Sequence, residues 1–544
     1  MRIRLVSCLL FACLAAACSM TTDQPASDLR VNPLDPDATP SPQTDPATRI
    51  ADALQEAKQT YDDGHYNSSM RWAQTAESLI REHNYPDHDL AIAINIQGYC
   101  LLQRGQMEDY FVSPDGHVEG ALTKFQKVLQ ILPKDFRARL GIGLCNFRLH
   151  SHMVMKAETL GQGAISLDSI QYDLALSSSE ADSARRADLL RDARRRFAQF
   201  TSNRDKLLAL HYVFKDVSKN PKFNEDRERD APWLGTLREG EESGKVLDVN
   251  SALETAIAAG SLDSHLHRGA ARDIAAVAES WRHVRNYWRK EALVRLQRAR
   301  DQFLVLYKER PDYFWIERDL AFVYQSFGAY FLDEGLDAAQ LQAIKAGTRP
   351  ERLEAEARRL YLDDSNKTWA KAESGKNYKY ALDFIKAFIV SHRQFEMKRI
   401  AARDKVDFND QNSNPFLVDL VSRYRATMEE LIVQERNMRA SMVLEGAVLC
   451  IEPLFQNKDT PLGVRFADDL KALQPRNPIH HLVKATAYFY DADYDLAKRS
   501  YEAYLQDSSV TEDLPRRNLA RERIRQCEIH AKRNAGAGES ADKR

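Results

Sequence analysis

The sequence has few of the residues that interrupt helices, with 22 glycines and 19 prolines in 544 residues. Alanine, leucine and arginine are abundant instead, and this balance is typical of a helical protein. The chain also has almost no net charge, because 77 basic residues are balanced by 79 acidic ones. That balance argues against a nucleic-acid-binding protein, which would carry a strongly basic surface.

The sequence also lacks the short motifs of common enzyme classes. It contains no HExxH, no GxSxG, no GxxxxGK[ST] and no GxGxxG motif. The segment from Gly240 to Lys245 approaches the phosphate loop but is one residue short, and Val246 stands where a metal-binding hydroxyl is needed. We therefore predict a non-enzymatic protein without a cofactor or a metal ion. An enzyme of unfamiliar type, hidden in residues 169–270, is the alternative.

Cysteine is scarce in the body of the chain and forms no CxxC pair. Cys100, Cys145, Cys450 and Cys527 are too widely spaced for a zinc motif or a dense disulfide framework. We predict that each is a buried free thiol.

Histidines occur in three close pairs, without carboxylates or cysteines at metal-ligand spacing nearby. The pairs are His150 with His152, His265 with His267, and His480 with His481. We predict solvated surface histidines rather than a metal site.

The first eighteen residues have the pattern of an export signal. Arg2 and Arg4 are followed by thirteen uncharged residues from Leu5 to Ala17. This run has the length of a signal-peptide core and is shorter than the ~20 apolar residues that a membrane-spanning helix needs. It ends in three alanines directly before Cys18.

This ending resembles the lipobox of bacterial lipoproteins, although Ala15 stands where leucine is usual. The resemblance implies that residues 1–17 are removed and that a diacylglycerol on the Cys18 thiol, with a further acyl chain on its amine, anchors the protein to a membrane. In the lipoproteins that this ending resembles, an aspartate directly after the cysteine favours retention in the inner membrane. Ser19 at this position implies an anchor in the outer membrane, with the protein facing the periplasm. The alternative is an ordinary secretory signal with a coincidental cysteine.

Residues 18–49 have a different composition, with six prolines among Thr, Ser, Asp and Ala. Such a stretch buries too little apolar surface to offset the entropy of ordering it. We predict a disordered, semi-rigid tether, and we predict a disordered tail over residues 534–544.

A helical hairpin is indicated between Ile94 and Pro133. Gly98 allows two helices to approach closely, Gly105 closes the first helix, and the second helix presents a buried face made of Ala121, Phe125 and Val128. These residues resemble a tetratricopeptide repeat, which implies paired antiparallel helices that bind proteins. Gly141 and Gly143 indicate close helix packing in the next segment.

The resemblance and the helical periodicity together predict an all-α solenoid of antiparallel hairpins. The predicted segments are hairpins over 50–168 (the last from Leu140 to about Asp168), a charged irregular insert over 169–270, helices with a hairpin over 271–335, long helices over 336–445, hairpins over 446–507 and a capping helix over 508–533.

Two groups of residues are candidates for partner binding. Tyr110 and Phe111 lie in an insertion at a hairpin turn, where they either contact a partner or fold back over the repeat. Arg194, Arg195 and Arg196 belong to a basic cluster that could grip an anionic partner, or form a solvated helix face paired with nearby aspartates.

A pair of tryptophans, Trp281 and Trp288, shares one helical face, which favours core packing over sugar stacking. The predicted function is a membrane-tethered scaffold that binds envelope proteins during assembly or export. The alternative is an accessory subunit of a polysaccharide or peptidoglycan machine that contacts glycan.

Overall fold

The computed structural model describes residues 45–107, 115–179, 264–346, 350–363, 368–404, 415–455, 459–507 and 514–541, with isolated positions at 182, 184, 185, 188, 189, 191, 192, 195, 348 and 365. No described residue lies in a β-strand, which confirms the all-α prediction. The helices are α1 Pro46–Asp62, α2 Tyr66–Glu82, α3 Asp87–Met107, α4 Asp115–Ile131, α5 Phe136–Ser179, α6 Ser264–Glu309, α7 Trp315–Lys345, α8 Pro350–Leu362, α9 Trp369–Asp404, α10 Pro415–Ile451, α11 Thr460–Leu473, α12 Ile479–Tyr490, α13 Tyr494–Gln506 and α14 Leu514–Ala541.

The chain divides into two units, each containing a stack of helices. The N-terminal unit comprises Arg30–Gln302 and Arg349–Arg352, and within it α1 to α5 pack in chain order, each on the next. The C-terminal unit comprises the described residues within Phe303–Thr348 and Leu353–Arg544, and within it α7 packs on α9 and α9 to α14 pack in chain order. Successive packing of this kind is the pattern of a helical-hairpin solenoid.

Side-chain contacts fix the helix directions within a hairpin. Lys124 of α4 donates to Gln97 of α3, and Gly120 lies against Leu101 one turn further along α3. Moving forward on α3 therefore means moving backward on α4, so the two helices are antiparallel as predicted.

The ring of Phe125 on α4 explains why glycine occupies two positions on the neighbouring helices. A Cβ added to Gly98 of α3 would lie 2.7 Å from this ring, and a Cβ added to Gly141 of α5 would lie 2.5 Å from it. Because real Cβ contacts are longer, both backbones approach the ring only without a side chain. The predictions of close packing at Gly98 and Gly141 are confirmed.

Several predicted boundaries differ from the observed helices. The hairpin predicted between Leu140 and Asp168 is wrong, because α5 runs unbroken as one 44-residue helix. Gly141 and Gly161 lie inside this helix without ending it. A Cβ added at either position would collide with a neighbouring side chain, that of Phe125 or Arg285. The tether predicted to reach residue 49 loses its last four residues to α1, where Pro46 occupies the first turn, a position that proline favours.

The remaining boundaries shift in the same direction, towards longer helices. The divisions predicted after residues 335 and 445 fall inside α7 and α10. The tail predicted from residue 534 is helical as far as Ala541, and the capping helix predicted over 508–533 is described from Leu514 onwards. No described helix is long and apolar enough to cross a membrane.

Candidate functional sites

In the N-terminal unit, α1, α3 and α5 form one layer, because α3 packs on both of the others. Polar contacts cross this layer. Gln103 of α3 donates to the Tyr61 hydroxyl of α1 over 3.3 Å, and the Tyr99 hydroxyl donates to the Arg137 carbonyl of α5 over 2.8 Å. Burial raises the pKa of Tyr61 to about 12, so its hydroxyl keeps its proton. The contacts hold the three helices at a fixed spacing.

A half-buried stripe runs along α3 within this layer. Ile92, Ile96, Tyr99 and Gln103 are spaced by four, three and four residues, so they share one helix face. Apolar groups with a few well-placed hydroxyls and amides are the composition of surfaces that bind extended peptides. We call this set the α3 stripe.

The C-terminal unit contains charged side chains buried between α7, α9 and α10. Glu396 of α9 is 4% exposed, and it accepts hydrogen bonds from Arg436, at 2.7 Å, and from Arg439. Glu435 of α10 is 6% exposed and pairs with Arg399 at 3.0 Å. Two buried acids and three arginines, of which Arg436 is exposed, thus tie α9 to α10, and together with His392 we call them the buried ionic cluster.

His392 of α9 is fully buried in this cluster. Aromatic rings surround it, with the centroids of Phe314, Trp315 and Phe388 between 5.0 and 5.8 Å away. Its Nε2 atom lies 3.6 Å from Glu435, and neither ring nitrogen has a hydrogen-bond partner among the described residues. Burial, reinforced by nearby Arg439, lowers its pKa to about 4, so the ring is neutral at pH 7.

The four cysteines of the body are buried and free, as predicted. Burial raises the pKa of Cys145 and of Cys450 to about 12, and it also raises the pKa of Cys100 and Cys527. A thiol in this state is not a nucleophile at neutral pH. The described residues also contain no group of three histidine, cysteine or acidic side chains arranged to hold a metal ion.

Most of the predicted site residues lie outside the described residues. This applies to Cys18, Tyr110, Phe111, Arg194 and Arg196, so their roles stay predictions.

Arg195 is the one described residue among the three candidates Arg194, Arg195 and Arg196; it is exposed and pairs with Asp192 over 2.9 Å. Arg191 pairs in the same way with Asp188 at 2.8 Å. These contacts favour the solvated, ion-paired face among the two interpretations of the cluster.

The prediction that the six paired histidines are solvated is wrong for three of these residues. His150, His152 and His480 are each no more than 4% exposed. His150 Nδ1 lies 2.9 Å from the Ala292 carbonyl oxygen, and burial lowers its pKa to about 4. A neutral imidazole that makes one backbone hydrogen bond is compatible with a helical core, which the pair spacing did not reveal.

Trp288 on α6 is half-buried, and the Lys156 ammonium lies 5.0 Å from its ring centroid. Its indole nitrogen is buried and has no hydrogen-bond partner among the described residues. One face of this ring is therefore already covered by a cation, which favours core packing over a sugar platform.

Sequence reasoning missed the buried ionic cluster. The signal was present as His392 and Glu396 on one turn of α9 and as Glu435 and Arg439 on one turn of α10. Each pair has the spacing of an ordinary exposed charge pair within a helix. Only the packing of α9 on α10 shows that the partners lie across helices.

No family model and no curated protein matches the chain. Among solved structures, the P58(IPK) TPR domain is 13% identical over 89% of this chain and 99% of that chain, with a TM-score of 0.15. Yeast Tom70 is 12% identical over 90% and 100%, with a TM-score of 0.16. Naa15/Naa10 bound to HypK-THB is 13% identical over 87% and 66%, with a TM-score of 0.18. At these values the fold description rests on the helix contacts of this chain alone.

Proposed function

We propose that this protein is a non-enzymatic scaffold that binds protein partners through its stacked hairpins at a bacterial cell envelope. The observation that carries the proposal is the α3 stripe, a continuous half-buried face in a layer whose spacing is fixed by side-chain contacts. A pre-formed face lowers the entropy cost of binding, because the protein does not have to be ordered when a partner arrives. An extended segment of a partner fits such a face better than a small molecule does.

Site-specific photo-cross-linking tests the binding face. A photoreactive amino acid at Gln103, in the α3 stripe, is compared with one at Gln126, an exposed position on α4 outside the layer. We expect Gln103 to yield a defined set of cross-linked envelope proteins that Gln126 does not yield. Identical products at both positions would contradict a role for the α3 stripe.

We also propose that lipid on Cys18 holds the protein to a membrane, because a signal-like run ends at this cysteine. Cys18→Ala is expected to move the protein into the soluble fraction of broken cells. Cys13→Ala, a cysteine within the same run, is the matched control and should leave the protein in the membrane fraction. Membrane association that survives both Cys18→Ala and a high-salt wash, which releases electrostatic contacts, would reject the anchor.

The identity of Ser19 leads us to propose that the anchor lies in an outer membrane, with the hairpins facing the periplasm. Ser19→Asp is expected to shift the protein towards the inner-membrane fraction of a density gradient. An unchanged distribution would remove this part of the proposal while leaving the anchor itself in place.

A further inference from the structure

The outward face of α14 carries three arginines at four-residue spacing. Arg517, Arg521 and Arg525 share one face of α14, which adjoins the side where Ala520 and Cys527 are buried in the core that α14 shares with α13. Arg521 and Arg525 are exposed, and Arg517 is half-buried. We call these three residues the α14 arginine stripe.

Two acids of α14 have partners outside this stripe. Glu528 accepts an ion pair from Lys498 of α13 over 2.8 Å, and Glu522 accepts a hydrogen bond from Gln526 over 3.4 Å. None of the three arginines forms an ion pair with an acid among the described residues.

Two exposed arginines on other helices are paired with an acid of their own helix. Arg81 pairs with Glu77 on α2, and Arg359 pairs with Glu356 on α8. Local pairing is the ordinary fate of a charged, solvated helix face. The α14 arginine stripe therefore keeps cationic groups available for an external anion.

An apolar side chain continues the stripe. Ile529 follows Arg525 by one helical turn and is 51% exposed. Basic residues beside an exposed aliphatic side chain are the combination by which helices lie on membrane surfaces. Successive arginines of the stripe are about 6 Å apart along the helix axis, so the array is straight and extends over about 12 Å.

We propose that the α14 arginine stripe docks on an anionic phospholipid surface. The headgroup phosphates of a lipid surface can bind a straight row of guanidiniums, and the apolar layer beneath the phosphates can bury Ile529. An acidic polypeptide would bind the guanidiniums but would leave Ile529 without a partner. The contact goes beyond the scaffold function and does not require the lipid anchor. In an anchored protein it would restrict the orientation of the C-terminal unit at the membrane.

Vesicle sedimentation tests the proposal without the anchor. The chain from residue 18 onwards, carrying Cys18→Ser so that it cannot be acylated and lacking the apolar run at residues 5–17 that would itself bind lipid, is mixed with vesicles of phosphatidylethanolamine containing about a third phosphatidylglycerol or none. We expect binding only to the anionic vesicles, and weaker binding as salt screens the contact. Replacing all three arginines (R517Q, R521Q and R525Q) should lower binding at least about tenfold, since each cation near an anionic surface contributes ~1 kcal/mol.

A matched variant controls for total charge. Arg465, Lys471 and Arg476 are exposed on or beside α11, and replacing all three by glutamine removes the same charge. This variant should bind anionic vesicles within about twofold of the parent. Equal loss in both variants, or absence of binding by the parent, would overturn the proposal. So would polyglutamate binding to the stripe in place of vesicles, because that result would assign the surface to an acidic polypeptide.

Thermal unfolding of both variants shows whether each substituted protein remains folded, which the comparison requires. The anchoring claim is tested separately by Cys18→Ala in cells, so failure of one proposal is distinguishable from failure of the other.

Discussion

The ring of Phe125 leaves no room for a side chain at Gly98, where an added Cβ would lie 2.7 Å from Cε1. Gly98→Ala is therefore expected to lower the free energy of unfolding by about 1–2 kcal/mol, because overpacking outweighs the gain in helix propensity. Chemical denaturation of the two proteins measures the difference. Gly120→Ala is the control, since a Cβ there meets Leu101 at an ordinary 3.4 Å and should be neutral or slightly stabilising.

His392 makes the stability of the C-terminal unit depend on pH. Its pKa is about 4 in the folded protein and 6.5 for an unperturbed histidine, so the unfolded chain binds more protons between these values. Its stabilising contribution is complete above pH 6.5 and is lost as the pH falls towards 4. Unfolding free energy measured across this window should fall by roughly 2–3 kcal/mol on this account.

His392→Leu is expected to flatten that pH dependence, whereas His83→Gln, at the exposed end of α2, should leave it unchanged. Burial raises the pKa of Glu435 above its ordinary value, and this effect has the opposite sign, because the group destabilises the fold once it is ionised. The difference between wild type and His392→Leu isolates the histidine. An unaltered pH profile in His392→Leu would show that the ring is not the responsible group.

Among elements, the pairing of α9 with α10 depends on Glu396, which binds Arg436 and Arg439 of the neighbouring helix. Glu396→Gln removes the charge that compensates two arginines and is expected to cost about 2–4 kcal/mol. Glu373→Gln, which breaks an exposed pair with Lys376 on the same helix, should cost less than about 1 kcal/mol. If urea denaturation gives a similar loss of unfolding free energy for both variants, the ion pairs of Glu396 are no stronger than an exposed pair, which would contradict the prediction.

How much of these elements the sequence predicts depends on which interactions define them. The hairpin at Gly98 and Phe125 was predictable because its small and aromatic residues have a recognisable spacing. The length of α5 was not, since nothing in the sequence shows that Gly161 lies inside the helix, packed against Arg285, instead of ending it. A glycine required by a contact and a glycine that ends a helix are identical in one sequence.

The buried ionic cluster was unpredictable for a related reason. Charge pairs at one-turn spacing are typical of exposed faces, and the sequence does not show which face of α9 meets α10. The burial of the histidines was also not predicted, because their contacts lie far away in the sequence. The hydrogen-bond partner of His150 is the carbonyl of Ala292, 142 residues away.

At the scale of the whole molecule, the four buried cysteines report on unfolding. Cys100 and Cys145 lie in the N-terminal unit, and Cys450 and Cys527 lie in the C-terminal unit. Alkylation by a thiol reagent, followed by mass spectrometry, should be slow for all four in the native protein and fast in denaturant. Within each unit, the two cysteines are expected to become reactive at the same denaturant concentration.

That outcome reflects cooperative unfolding of a packed stack. Separate transitions for Cys100 and Cys145 would show that hairpins of the N-terminal unit open one at a time, as in a long repeat array. Gly98→Ala should lower the concentration at which Cys100 reacts, which links this measurement to the packing of Phe125.

The fit of Phe125 between two glycines also decides where the gene tolerates changes in length. Deleting one residue between Asp115 and Phe125 would rotate the ring by about 100° away from Gly98 and Gly141, because each residue turns a helix by that angle. A change of length before Asp115 leaves the number of residues between Asp115 and Phe125 unchanged, so the ring keeps its direction within α4. Insertions and deletions accumulated over evolution should therefore collect before Asp115 and be absent from the first half of α4.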